Sequence, residues 1–215
     1  DPVYGVELDD NEESLANKIL AKEDIVLNNK PVIGIGFRHM YWLWDESTFK
    51  DNAQKLVNIC DRLIQELDVQ LLFIPNCTYT KGNPYEDDRV VNEGVYSLFQ
   101  HKDKVHMIKS ELNLKETMAL YSKVDMIVSN RRHASIFGAL HHKPLVSFST
   151  GHSWHFKSFL EELELSVKDH LIELKSDEIE DAVNKIKRVL QRKDYFKDHF
   201  FQILPDLYTF QIQPL

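Results

Sequence analysis

Residues 125–149 read DMIVSNRRHASIFGALHHKPLVSFS. An apolar run from Asp125 to Ser129 is followed by four polar residues. Ile136, Phe137 and Leu140 then recur at helical spacing, and a second β-branched and aromatic run covers Pro144 to Ser149. Short apolar runs of this composition predict strands, and the spacing between them predicts a helix. Two strands joined by a helix rather than a tight turn make a parallel βαβ unit.

Four more runs have the same character: Val32 to Phe37, Gln70 to Pro75, Lys104 to Lys109 and His170 to Leu174. Phe49, Ala53, Leu56, Cys60, Leu63 and Leu67 step by three or four and predict a long amphipathic helix. Asn113 with Glu116 reads as a capping box opening a helix from Leu114, and Ser176 reads as the cap of a helix through Leu190. Alternation along most of the chain predicts an α/β protein with a doubly wound, mostly parallel sheet. Residues 1–30 read as an inter-domain lead-in and 31–193 as a Rossmann-like donor-binding domain. Residues 194–215 form an aromatic-rich segment expected to pack back on it.

At 215 residues with 43% hydrophobic and 28% charged side chains, the chain is neither disordered nor fibrous. A formal charge of −8 argues against general nucleic-acid or anionic-membrane partners. Two cysteines make no disulfide framework, which fits a reducing, cytoplasmic setting; no run is long enough to span a membrane. Cys60 falls on the apolar helical stripe and reads as core. Asn76-Cys77-Thr78 is a formal glycosylation triplet.

Ligands of open parallel sheets bind beyond the carboxyl ends of the strands. The loops there are polar and aromatic: Arg38 to Trp44, Asn76 to Arg89, Asn130 to His133 and Thr150 to His155. Between Lys104 and Lys157 lie eight Lys or Arg against three Asp or Glu, together with six of the ten histidines. That local excess points to a small anionic ligand. With Asn130 as N-cap, Arg131, Arg132 and His133 fill a first helical turn, where the dipole disfavours cations unless an anion sits there. The same arginines also read as partners of surface acids. Gly34-Ile35-Gly36 lacks the third glycine of a dinucleotide fingerprint. His141-His142-Lys143 suits a helix C-terminus. Asp87 and Asp88 suit a helix start. His152 and His155 have metal-ligand spacing without a third ligand, so no metal and no cofactor are expected.

Lys115-Glu116, Tyr121, Asp125 to Ser129, Arg131-Arg132-His133-Ala134, Phe137-Gly138-Ala139 and Lys143 to Val146 together resemble the polysaccharide pyruvyl transferase family, in which an Arg-x-His segment follows a strand. Ile33 to Arg38, Phe73-Ile74-Pro75 with Asp87-Asp88, and Asp1-Pro2-Val3-Tyr4 extend the resemblance to most of the chain before Leu165. It implies the second, donor-binding half of a glycosyltransferase B-type fold, with an N-terminal domain absent from this sequence. It further implies phosphoenolpyruvate as donor and a saccharide diol as acceptor, joined as a pyruvate ketal.

In that scheme His133 is catalytic and Arg131 holds the donor. Arg38, Ser129, Asn130, His152 and Lys157 complete the expected donor-contacting set. Two positions depart from the family pattern. Arg132 replaces an apolar residue, and Ser149-Thr150-Gly151-His152 stands where a Tyr-x-x-Lys segment is usual. A glycosyltransferase or sugar-nucleotide enzyme on the same fold, or a non-catalytic carbohydrate-binding module, are the alternatives that fold alone does not separate.

Overall fold

The computed structural model describes residues 11–40, 45–78, 82–151 and 153–209. The strands are β1 (Val32–Gly36), β2 (Gln70–Phe73), β3 (Val105–Met107), β4 (Met126–Ser129), β5 (Leu145–Ser149) and β6 (Leu171–Glu173). They form one all-parallel sheet in the order β3-β2-β1-β4-β5-β6. Each run expected to be a strand is one. Every residue of β1, β2, β4 and β5 is buried, as a sheet covered on both faces requires.

The helices are α1 (Glu12–Lys22), α2 (Glu46–Leu67), α3 (Asp88–Tyr96), α4 (Leu114–Tyr121), α5 (Arg132–Leu140), α6 (Trp154–Glu162), α7 (Val167–His170), α8 (Ile179–Leu190) and α9 (Lys193–Thr209). α2 packs with α3 and α8. α1 packs on α4, α4 on α5, and α5 on α9, so helical layers cover the sheet. The C-terminal segment returns to the domain through Phe196 and Phe200, both fully buried, whereas Phe201 stays exposed. Cys60 is buried in the core, where desolvation pushes its thiol pKa up and makes it inert.

Local side-chain caps set the starts of α2, α3 and α4. Asn113 accepts from the Glu116 N–H at 3.0 Å while the Glu116 carboxylate accepts from the Asn113 N–H at 2.8 Å, closing the expected capping box. Asp45 caps α2 through the Thr48 N–H at 2.7 Å. Ser176 does not cap α8, which begins later with Glu178 at the N-cap. The chain between β6 and α8 is instead tied into a turn, in which the Glu173 carbonyl accepts from the N–H groups of Ser176 and Asp177 and the Asp177 carboxylate accepts from the Glu173 N–H.

Candidate active site

The strand order reverses direction between β1 and β4, and the carboxyl ends of these two strands frame the crevice where open α/β sheets bind ligands. Their close approach is built into the sequence. A Cβ at Gly36 would collide with Ser129 Oγ and lie 2.9 Å from Ala134 Cβ, so only glycine lets β1 and α5 meet there. Ser129 Oγ donates to the Gly36 carbonyl at 2.8 Å and accepts from the Arg131 N–H at 2.8 Å. Asn130 grips the backbone of Arg38 from both sides: Oδ1 accepts its N–H at 2.7 Å and Nδ2 donates to its carbonyl at 3.0 Å.

These contacts correct the expected helix register. Asn130 is not the N-cap of α5, because its amide is committed to Arg38. Arg131 occupies the cap without a side-chain cap bond, and the helix begins at Arg132. The side chains of Ser129 and Asn130, expected to touch the donor, hold the two loops together. The first N–H groups of α5 receive no side-chain oxygen from the cap residue and face the crevice end of the helix.

Arg131 reaches back to the loop after β2 and pairs through Nη2 with Asp88 Oδ1. Asp88 is almost wholly buried, and its other oxygen accepts from the N–H groups of Asn76 at 2.9 Å and Cys77 at 3.0 Å. Burial pushes the Asp88 carboxyl upward, while Arg131 and the two N–H groups oppose that shift. Both oxygens act only as acceptors, so the ionised form fits these donors. Arg131 Nε is buried without a hydrogen-bond partner among the described residues.

Asn76 Nδ2 donates to the Tyr121 hydroxyl at 3.0 Å and to the Ile74 carbonyl at 3.2 Å. The amide of the formal glycosylation triplet is therefore engaged inside the site's scaffold. Asp87 caps α3 and forms a two-point pair with Arg89.

His133 projects from the first turn of α5, is exposed, and has its ring 6.4 Å from that of Phe137. Partial desolvation, then Arg132 and Arg131, hold its imidazole below the ordinary histidine range. Arg132 turns the other way: it pairs with Glu162 of α6 at 3.1 Å, with its guanidinium carbon 5.5 Å from the centre of the Phe159 ring. Across the crevice, Arg38 is half-buried and His39 is buried, stacked on Tyr85 at 4.4 Å.

Lys157, on the second turn of α6, lies 3.9 Å from Glu173 at the end of β6 and is half exposed. His155 stacks on Trp154. His152, Lys81, Trp42 and Trp44 lie outside the described residues. The structure thus brings Arg38, Ser129, Asn130, Arg131 and His133 to one crevice and sets Lys157 beside the end of β6. Asp88, Asn76 and Tyr121 are the supporting residues that sequence reading did not assign. The available signals were a pair of acids at a helix start that needs only one cap, and the place of Asp88 and Tyr121 among the residues that carry the family resemblance.

A profile of the family described as polysaccharide pyruvyl transferase matches residues 6–152, more than two thirds of the chain. The chain belongs to the polysaccharide pyruvyl transferase family. The family segment contains β1 through β5 and the whole Arg131–Asp88 scaffold. No curated protein gives a significant match.

Among solved structures, the chain resembles the ADP-heptose lipopolysaccharide heptosyltransferase II of E. coli (TM-score 0.60, 14% identity, 88% of this chain and 54% of that one). It also resembles the C-terminal domain of the glycosyl transferase LpcC from Francisella tularensis (TM-score 0.55, 15% identity, 96% of each chain). A third likeness is to UDP-GlcNAc 2-epimerase from Neisseria meningitidis (TM-score 0.53, 13% identity, 87% of this chain and 43% of that one). The chain spans about half of the heptosyltransferase and less of the epimerase, yet matches an isolated C-terminal domain end to end. At these identities the likeness is one of fold, that of a glycosyltransferase B-type half. Among the described residues no helix is long and apolar enough to cross a membrane.

Proposed function

We propose that this chain is the donor-binding part of an enzyme that transfers the enolpyruvyl-derived group of phosphoenolpyruvate to two hydroxyls of a saccharide, giving a pyruvate ketal and inorganic phosphate. The observation that carries the reading is Arg131 and His133 at the crevice end of α5, within the segment that matches the family. Arg131 is held rigid by Asp88, and its guanidinium offers the forked donors that suit phosphate and carboxylate.

His133 is the proton donor in this scheme. Delivering a proton to the donor's methylene carbon makes the adjacent carbon electrophilic. One acceptor hydroxyl adds there, phosphate leaves, and the second hydroxyl closes the ketal while the two hydroxyl protons are released. The imidazole is biased toward neutrality by desolvation and the two arginines. An anionic donor beside Arg131 offsets that positive field and restores the acid form where it is used. The acid is thereby armed by its own substrate.

The test is a thermal-shift comparison of phosphoenolpyruvate with nucleotide sugars on this chain, followed by phosphate release and ketal detection with the complete enzyme. Stabilisation by a nucleotide sugar with none by phosphoenolpyruvate overturns the reading in favour of a glycosyltransferase.

A further inference from the structure

The loop after β2 carries an aromatic ring as well as Asp88. Residues Pro84–Glu86 form a single tight helical turn. The Asn83 side chain accepts from the Tyr85 N–H at 3.0 Å, the Asn83 carbonyl from the Glu86 N–H at 3.0 Å, and the Pro84 carbonyl from the Asp87 N–H at 3.2 Å. Proline at the first position of the turn has its φ set in advance. Tyr85 is thereby held with 39% of its surface exposed. One face of its ring is backed by His39, with ring centres 4.4 Å apart and planes 14° from parallel. Phe49 packs on the same imidazole at 4.5 Å. Burial of His39 pushes its pKa down, so the stack is uncharged near neutral pH.

Two separate chains of contacts tie this ring to Arg131. Along the backbone, Tyr85 lies three residues before Asp88, whose carboxylate holds the Arg131 guanidinium. Three residues span at most about 11 Å, and the turn shortens that. Through space, Tyr85 stacks on His39, the residue after Arg38, and the Asn130 amide binds both the N–H and the carbonyl of Arg38. Asn130 immediately precedes Arg131. The exposed ring and the guanidinium therefore stand on the same side of the crevice, that of the β2 loop.

We propose that Tyr85, backed by His39, is the platform on which a sugar ring of the saccharide acceptor stacks, beside Arg131. The inference rests on the proposed transfer to a saccharide. A pyranose has an apolar face of C–H groups and a rim of hydroxyls. The face packs on an aromatic ring, and the rim needs polar groups, here the half-buried side chains of Arg38, Asn83 and Glu86 nearby in the two loops. Tyrosine gives such a contact at small entropic cost, and the Asn83-Pro84 turn fixes it before the ligand arrives. Tyr85 thus sets acceptor affinity and takes no part in proton transfer.

The experiment is saturation-transfer NMR titration of the full 215-residue chain with the methyl glycosides of glucose, galactose and mannose, and calorimetric titration with phosphoenolpyruvate. The proteins are the wild type, Tyr85→Ala, Tyr85→Phe and Tyr195→Ala. Tyr195, 43% exposed on α9, controls for unspecific contact with an exposed ring. The expected result is that at least one glycoside binds the wild type and that Tyr85→Ala weakens it by roughly tenfold. Tyr85→Phe should stay within a few-fold, and Tyr195→Ala should change nothing. Phosphoenolpyruvate affinity should be the same in all four. No glycoside binding by the wild type, an unchanged affinity in Tyr85→Ala, or equal losses in Tyr85→Ala and Tyr195→Ala overturn the proposal. So does a loss in Tyr85→Phe as large as in Tyr85→Ala, which would assign the contact to the hydroxyl. Loss of phosphoenolpyruvate binding in Tyr85→Ala makes the residue a support of the Asp88 loop and overturns the platform. Glycoside binding through Tyr85 by a wild-type chain that does not bind phosphoenolpyruvate upholds the platform and overturns the proposed donor.

Discussion

Arg131 and Asp88 form a largely buried ion pair that joins the loop after β4 to the first turn of α3, 43 residues apart in the chain. The pair orients the guanidinium at the mouth of the crevice before any ligand arrives. It also makes Arg131 a stability residue as well as a binding residue, because removing either partner leaves a charge in a poorly solvated place.

Asp88→Asn and Arg131→Ala are each expected to destabilise the chain by about 3 kcal/mol, the scale for breaking a buried pair from one side. Replacing both partners, Arg131→Met with Asp88→Leu, is expected to recover most of that loss. Urea denaturation of the three variants is the measurement. Additive losses in the double variant would mean that the pair is not coupled. Donor affinity of Arg131→Ala has to be measured on the folded fraction for the same reason.

Arg132 and His133 are expected to separate activity from stability. Arg132→Leu removes an exposed pair with Glu162 and should change stability by less than about 1 kcal/mol and leave donor affinity unchanged. His133→Ala in the complete enzyme should abolish turnover while leaving the melting temperature of this domain within a few degrees of wild type, since its side chain is exposed. Retained turnover per folded molecule would remove His133 from the chemistry.

Gly36→Ala is expected to cost about 1–3 kcal/mol, the usual scale of overpacking, because the new methyl meets Ser129 and Ala134 at the meeting of β1, β4 and α5. Combining it with Ser129→Ala should relieve only part of the loss, since Ser129 Cβ would still lie 3.2 Å away. Full recovery in the double variant would show that the loop closure depends on the hydroxyl alone.

Stability is expected to fall as pH drops below neutrality. Burial lowers the pKa of His39, His106 and His170 in the folded chain. The Gln70 side chain accepts from the Asn28 N–H through Oε1, so its amide nitrogen donates to His106 Nε2, which a second proton would block. Unfolded histidines titrate near pH 6.5, so the unfolded state binds more protons below that value and the stabilisation is lost toward the lower folded pKa values; well above it the contribution is constant. Urea midpoints between pH 7.5 and 5.5 test this. His106→Gln should flatten the slope, and an unchanged slope would remove His106 from the effect.

Strands, most helices and the Asn113–Glu116 capping box were legible because each depends on neighbours in the chain. Burial on both sheet faces demands the continuous apolar runs of β1 and β4, and the Asn113–Glu116 box closes over three residues. The Arg131-x-His133 segment was legible for the same reason, being a short motif between a strand and a helix. Charge was not. The basic excess between Lys104 and Lys157 is largely cancelled by acids from elsewhere: Asp68 for Lys104, Glu13 for Lys123, Asp88 for Arg131 and Glu162 for Arg132. These partners lie 30 to 110 residues away in sequence, so a local count sees only one side of each pair. Asn130 was misread as a helix cap because its true partner, the Arg38 backbone, is 92 residues distant and adjacent only through β1–β4 pairing. Local patterning decides which elements form, because burial and capping are properties of neighbouring residues. Which cations are compensated, and by which acids, is decided by the tertiary fold, because electrostatic balance follows distance in space rather than position in the chain.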